Sequence, residues 1–310
     1  MIVEVYAKTH VGRIRSGNED NYLLLDLDTS GAWTGSEGEE PPAEMCRFEV
    51  GPKGFVMVVS DGMGGALAGD VASRMAVETV RDMLTGVEER DGEDGEDASL
   101  AESLRNATDY ANFAIHRKSQ DDPRCNGMGA TLTGAAVNGD GLAFVQVGDS
   151  RGYVVRGSRI HLATKDQSLV QQLVDVGQIS EQEAETHMFR NVILQALGAQ
   201  PELSPVSGRV RLFRDDLVLL CSDGLSGKLR AEDMLNIIAE SKGDLARACA
   251  ELVAEANARG GEDNITVVLA RLSGEDLPSP DSEGGVTVEI TSPEAEDTFN
   301  RDDDTTENLR

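Results

Sequence analysis

Four aspartates, Asp61, Asp149, Asp223 and Asp263, share one kind of neighbourhood. Each stands where an apolar, strand-forming run meets a turn containing Gly or Asn. Residues 55–59 run into Ser60-Asp61-Gly62, residues 142–147 into Gly148-Asp149, and residues 217–221 into Ser222-Asp223-Gly224. Asp263-Asn264 lead directly into residues 265–272. A single Asp-Gly pair reads as an ordinary turn; the recurrence is what points to a shared site. Carboxylates brought to one place cannot all stay ionised unless cations stand between them. Oxygen-only ligation favours Mg²⁺ or Mn²⁺ over zinc, and His10, His116, His161 and His187 are too scattered for a zinc site. The glycines let the main chain come close, so the Gly62 carbonyl can ligate beside Asp61. Two such ions about 3.5–4 Å apart lower the pKa of a water between them and stabilise in-line attack on phosphorus. Arg15 would add a planar, bidentate phosphate grip.

The elements that must position these residues follow from periodicity. Strands are predicted at 2–7, 23–27, 55–59, 131–137, 142–147, 153–156, 217–221 and 265–272, with a tight hairpin at Asn138-Gly139-Asp140-Gly141. Arg15, Glu19 and Asp20 then fall on the connection before the second strand, where such residues are usually surface. Residues 29–53 read as a long hairpin excursion. Val71, Met75, Val80 and Met83, and later Leu100, Leu104, Ala107, Ala111 and Ile115, recur at helical spacing and are most simply core. Residues 165–198 break the strand rhythm. A helix at 168–176 ends at Gly177, and Ser180 with Glu183 forms a capping box for a shorter one. Helices follow at 231–241 and 244–258.

The chain has 310 residues and a formal charge of −28, which disfavours nucleic acid and anionic membrane surfaces as partners. Much of the acid sits in residues 88–97 and from Ser273 onward. The reading there is an acidic loop at about 86–98 and an acidic, disordered tail over 273–310, after a domain spanning 1–272. Cys46, Cys125, Cys221 and Cys249 show no CxxC spacing, as expected of reduced thiols in the cytoplasm, and none precedes an arginine by six positions, so a cysteine-nucleophile phosphatase loop is absent. The N-terminus shows no signal-like apolar region, and no run approaches 18 apolar residues.

RSGNED (15–20), SDGMGG (60–65), GMGATLTG (127–134), GDSR (148–151), DQSLVQQLVDVGQIS (166–180), RNVILQALG (190–198), SDGL (222–225) and GGEDNIT (260–266) resemble, in order, the motifs of the PP2C-type (PPM) metal-dependent protein serine/threonine phosphatases, with the bacterial branch the better match. The resemblance implies an α+β fold, a four-layer α–β–β–α sandwich of two antiparallel sheets. It implies hydrolysis of phosphoserine and phosphothreonine on proteins through a metal-bridged hydroxide, with no phosphoenzyme. Asp61 resembles the carboxylate bridging two Mn²⁺ or Mg²⁺ ions, and Gly62 the carbonyl ligand. Asp223 and Asp263 resemble further ligands of the first ion, and Asp20, with Glu19 beside it, the acid on the second. Asp149 with Asp223 resembles a third-ion site. Arg15 matches the phosphate-binding arginine, and residues 165–195 the flap beside the site. The implied partners are phosphorylated proteins, among them serine/threonine kinases and their substrates, met by a monomer. Met63 departs from the pattern: it stands where animal relatives carry a histidine proposed as general acid.

Two other readings compete. Gly148-Asp149-Ser150-Arg151-Gly152 formally matches a serine-hydrolase nucleophile elbow, with Asp175 and His187 downstream, but the elbow needs strand–turn–helix and residues 153–156 read as strand. A catalytically dead metal-binding scaffold would be expected to lose one or more of the acids, and this chain keeps Asp20, Asp61, Asp149, Asp223, Asp263 and Arg15.

Overall fold

The computed structural model describes all residues except 36–37, 65–67, 87–98, 281–284 and 292–310. In chain order the elements are β1 (Ile2–His10), β2 (Asp20–Asp26), β3 (Gly31–Trp33), α1 (Ala43–Cys46), β4 (Arg47–Glu49), β5 (Phe55–Met63), α2 (Ala68–Thr85), α3 (Leu100–Asp121), β6 (Gly129–Ala130), β7 (Leu132–Asn138), β8 (Gly141–Val147), β9 (Arg151–Arg156), β10 (Arg159–Leu162), α4 (Leu169–Asp175), α5 (Glu181–Glu185), β11 (Val206–Arg211), β12 (Asp216–Cys221), α6 (Asp223–Ser226), α7 (Ala231–Glu240), α8 (Leu245–Ala258), β13 (Ile265–Ser273) and β14 (Glu289–Thr291). One sheet runs β10-β9-β12-β13-β1-β4. The other runs β14-β11-β8-β7-β5-β2-β3, with β6 paired to β5.

Strands buried on both faces read as continuous apolar runs, and β5 shows why. Phe55, Met57 and Val59 point into the core between the sheets, meeting Val218, Leu220, Val268 and Ala270 of the other sheet. Val56 and Val58 point outward beneath α2 and α3, against Ala72, Ala76, Leu104 and Ala107. On the far side Leu219, Val267 and Leu269 lie under Ala248, Leu252 and Ala256 of α8. The layers are therefore α–β–β–α, as the family resemblance implies. No helix among the described residues is long and apolar enough to cross a membrane, and all four cysteines are free.

Three expectations change. Residues 29–53 are not a hairpin: β3 extends one sheet beside β2, and β4 crosses to edge the other beside β1. Asp20 is not on a connection but opens β2, because its backbone pairs with Asp61. The expected disorder from Ser273 does not hold for the first part of that segment. Leu277 is 2% exposed within the core. Arg214 donates to the carbonyls of Gly274 and, through its backbone, Pro278. Arg156 donates to the Gly285 carbonyl at 2.6 Å, and β14 pairs with β11. Single anchors at irregular spacing leave no periodic signal to read. Of the predicted acidic loop, residues 87–98 lie outside the described residues, as does the tail from 292.

Candidate metal centre

β5 does not stop at Asp61. It continues through Gly62 and Met63, which pair with Ala130 and Gly129 of β6. Asp61 is clamped on both sides of its peptide: its N–H donates to Thr131 Oγ1 at 3.0 Å, and its carbonyl accepts from Thr131 N at 2.8 Å. Asp20 lies directly opposite on β2, so both carboxylates project from one face of the sheet. Gly62 is required by space, since a Cβ there would lie 2.1 Å from the Gly69 carbonyl oxygen and 2.8 Å from that of Glu19. The Gly62 N–H donates to the Glu19 carbonyl at 3.1 Å, which binds the 19–20 segment to the same strand.

The remaining acids arrive from other elements. Asp149 occupies the turn between β8 and β9, and Asp223 opens the one-turn α6 immediately after β12. Asp263 precedes β13, and its Oδ2 accepts from Arg15 Nη2 at 2.7 Å. Asn264 joins the 11–19 loop to this strand. It accepts from Glu19 N at 2.8 Å and donates to the carbonyls of Val11 and Gly17 at 2.9 and 3.0 Å. Arg15, Glu19, Asp61, Gly62, Met63, Asp149, Asp223 and Asp263 thus line one cleft of about 220 Å³, closed on the flap side by Asn191 and Ile193. Asp20 does not line it. It lies buried behind the wall, where its Oδ2 accepts from Ser222 Oγ at 2.7 Å.

The electrostatics of this cleft are those of carboxylates short of positive charge. Burial pushes Asp20 up to about 7, with hydrogen bonds from Thr266 and Ser222 pulling the other way. Burial, then Asp223, pushes Asp149 up to about 8. Burial, then Asp263, pushes Asp223 up to about 6. Asp61 rises well above the ordinary range through burial and then through Asp20 and Asp223, and Glu19 also rises through burial.

Whether these residues suit divalent ions can be judged from their unmet valences. The Oδ1 atoms of Asp20 and Asp223 are buried with no hydrogen-bond partner, which is costly for a carboxylate unless a cation satisfies it. No His or Cys is among the cleft-lining residues described, so the donors are hard oxygens. Among the described residues no three His, Cys, Asp or Glu side chains make a self-sufficient cage. A Mg²⁺-like ion does not need one, because it keeps several waters and takes one or two carboxylates. A shared cleft of acids with one backbone carbonyl therefore fits.

Sequence reasoning placed the acids but assigned no role to Thr131, Ser222 or Asn264. Each sits inside a motif it had singled out, and polarity beside an acid was the available signal. The nucleophile-elbow reading fails. Ser150 is fully buried, its hydroxyl shares a hydrogen bond of 2.7 Å with Thr131 Oγ1, and β9 follows it where a helix would be needed.

A family profile described as Protein phosphatase 2C matches residues 44–269. The chain is 33% identical over 269 residues to the serine/threonine phosphatase stp of Listeria welshimeri, covering 84% of this chain and 93% of that one. It is 36% identical over 221 residues to protein phosphatase PhpP of Streptococcus pneumoniae, covering 71% and 87%. The crystal structure of the Mycobacterium tuberculosis serine/threonine phosphatase PstP/Ppp superposes with a TM-score of 0.69 at 30% identity, covering 88% of this chain and all of that one. The PstP catalytic domain in complex with 2 manganese ions superposes with a TM-score of 0.68, also at 30% identity, covering 88% of this chain and 99% of that one. Likeness of this extent, in sequence and in fold together, leads to one conclusion: this chain belongs to the protein phosphatase 2C family.

Proposed function

We propose that this chain hydrolyses phosphoserine and phosphothreonine monoesters on proteins, using Mn²⁺ or Mg²⁺. The observation that carries this reading is the convergence of acids from separate stretches of chain on one cleft, with Arg15 at its rim. Asp61, the Gly62 carbonyl, Asp223 and Asp263 would hold one ion. Asp61 with Asp20 and Glu19, directly or through water, would hold a second, and Asp149 with Asp223 a third. When bound, such ions neutralise phosphoryl oxygens and make a water acidic enough to act as nucleophile near pH 7.

The protein's own groups supply binding and alignment. Arg15, half-exposed and already turned toward the cleft by Asp263, can exchange part of that ion pair for a bidentate grip on the phosphoryl group. That grip sets the phosphorus for in-line attack opposite the seryl or threonyl oxygen, in one displacement without a covalent phosphoenzyme. Thr131, Ser222 and Asn264 hold the acid-bearing segments at fixed spacing. Met63 lines the cleft but its thioether carries no proton, so it cannot protonate the departing alkoxide. The retained acids argue against a dead scaffold, and the net charge against nucleic acid as partner. Phosphorylated kinases and their substrates, met by a monomeric enzyme, are the partners this reading implies.

Phosphate release from a phosphothreonine peptide tests it. Release with Mn²⁺ or Mg²⁺, abolished by EDTA and by Asp223→Asn, is expected. Turnover that survives EDTA, or a trapped phosphoenzyme, would overturn it.

A further inference from the structure

The chain beyond β13 changes where its remaining residues leave the fold. β13 begins just after Asp263 at the cleft and ends at Ser273. Its nine residues put that end about 30 Å from the cleft. β12 marks the same two ends, opening at Asp216 and delivering Asp223 to the cleft just past Cys221. A chain that left the fold at Ser273 would therefore exit at the end of the sandwich remote from the acids. Residues 274–291, past the 44–269 span of the family match, carry it back.

Each stage of the return is held. Leu277 is buried in the core between the sheets, and Val286 and Val288 pack against that core. The Arg214 guanidinium donates to the Gly274 and Leu277 carbonyls at 3.0 and 3.4 Å, and its backbone N–H to the Pro278 carbonyl at 2.8 Å. At the remote end Arg156 and Asp216 form a buried ion pair. The same guanidinium donates to the Gly285 carbonyl at 2.6 Å, with its Cζ 4.2 Å from the ring centroid of Phe213. β14 then pairs with β11, Glu289 opposite Arg209 and Thr291 opposite Ser207. Ser207 lies in turn opposite Val145 of β8, four residues before Asp149. Both pairings are antiparallel, so β14 runs in the same direction as β8 and points toward the cleft end. Two strand spacings sideways and a few residues along place Thr291 roughly 15–20 Å from Asp149.

We infer that residues 292–310 reach the cleft in cis and compete there with phosphorylated substrate when divalent ions are bound. The inference rests on the proposed function. These 19 residues can span up to about 60 Å, well beyond the gap. They hold seven acids against two arginines, a net charge of −5. An ion-loaded cleft with Arg15 at its rim suits an oxyanion, and a carboxylate offers Arg15 the same bidentate pairing as a phosphoryl group. Hard divalent ions likewise accept carboxylate oxygen in place of water. Without ions the sign reverses, because the acids of 292–310 would meet those of the cleft. Attachment makes a weak contact count, since a segment joined this close acts at an effective concentration in the millimolar range.

The test compares the full chain with a chain ended at Thr291, which keeps every anchor of the return. With Mn²⁺ and a phosphothreonine peptide, the shortened chain is expected to show a KM about 3–10-fold lower, with kcat unchanged. The difference should be independent of enzyme concentration and should shrink in roughly 0.5 M salt. The full chain carrying Asp302→Asn, Asp303→Asn and Asp304→Asn is expected to fall between the two. Calorimetry gives a readout that needs no turnover. A synthetic peptide of residues 292–310 is expected to bind the Mn²⁺-loaded shortened chain, to be displaced by inorganic phosphate, and not to bind in EDTA. If the shortened chain releases phosphate only with ions but shares the KM of the full chain, the inference is overturned and the proposed function stands. Peptide binding that persists in EDTA, or that phosphate leaves unchanged, puts the segment elsewhere and also overturns it. If neither chain releases phosphate, or release survives EDTA, the proposed function fails and the inference falls with it.

Discussion

Replacing Asp223 by Asn should stabilise the ion-free protein while destroying its activity. Asp223 is held at about 6 by burial and by Asp263, roughly two units above an ordinary aspartate. At about 1.4 kcal/mol per unit, ionising it in the fold costs at most about 3 kcal/mol above pH 6. The cleft is open to water, so roughly half of that is the expected gain from a neutral, near-isosteric amide. For a domain of this size that corresponds to about 3 °C in Tm. The sign with pH follows from the direction of the shifts. An acid whose pKa is raised by folding binds its proton more tightly when folded, so the ion-free protein loses stability as pH rises from about 4. The loss continues through the folded values of about 6 for Asp223, about 7 for Asp20 and about 8 for Asp149, and then levels off. Thermal melts of EDTA-treated wild type and Asp223→Asn between pH 5 and 8.5 should therefore diverge, with the variant the more stable at the alkaline end. Added Mn²⁺ should reverse the order, because ions that bind only the folded state stabilise it in proportion to their affinity. A variant less stable than wild type at pH 8 without ions, or equal Mn²⁺ stabilisation of both, would refute the argument.

Arg15→Ala should raise KM for a phosphopeptide by roughly 10–100-fold through loss of a charge-assisted bidentate contact; Lys at that position should recover only part, as steady-state kinetics would show. Gly62→Ala should lose both ion binding and phosphate release, because its Cβ would stand 2.1 Å from the Gly69 carbonyl; calorimetry with wild-type Mn²⁺ affinity would contradict this. Ser150→Ala should keep hydrolysis and lose about 1 kcal/mol of stability with the Thr131 hydrogen bond, checked by turnover and denaturant melts. Truncation from Gly274 should lower Tm relative to a chain ended at Thr291, and Leu277→Ala in the full chain should cost about 2–4 kcal/mol.

The strands and long helices were legible because their faces are buried regularly. β5 alternates between two cores, and α3 begins at the Ser99 capping box with Leu104, Ala107, Ala111 and Ile115 inward. The Ser180 capping box was an equally local signal and sits where expected, while Ser168, read as the first residue of its helix, caps it instead. What depended on distant partners was not legible. β10 and β14 are edge strands and β11 lies between β14 and β8, and in each the pairing supplies what the composition does not. Asp20 belongs to a strand because Asp61 lies across from it, and nothing within 15–20 says so. The cleft itself was read from repeated strand-end acids and family motifs. The residues that hold those acids in place, Thr131, Ser222 and Asn264, act through bonds spanning as many as 253 positions and leave no trace in local pattern.

The central claim is that acids from distant parts of the chain share divalent ions in one cleft. Anomalous diffraction from crystals grown with Mn²⁺ tests it most directly. The account predicts manganese peaks within about 2.0–2.3 Å of Asp61, the Gly62 carbonyl, Asp223 and Asp263, lost in Asp223→Asn together with phosphate release. Manganese absent from the cleft of an active, phosphate-releasing protein would contradict it.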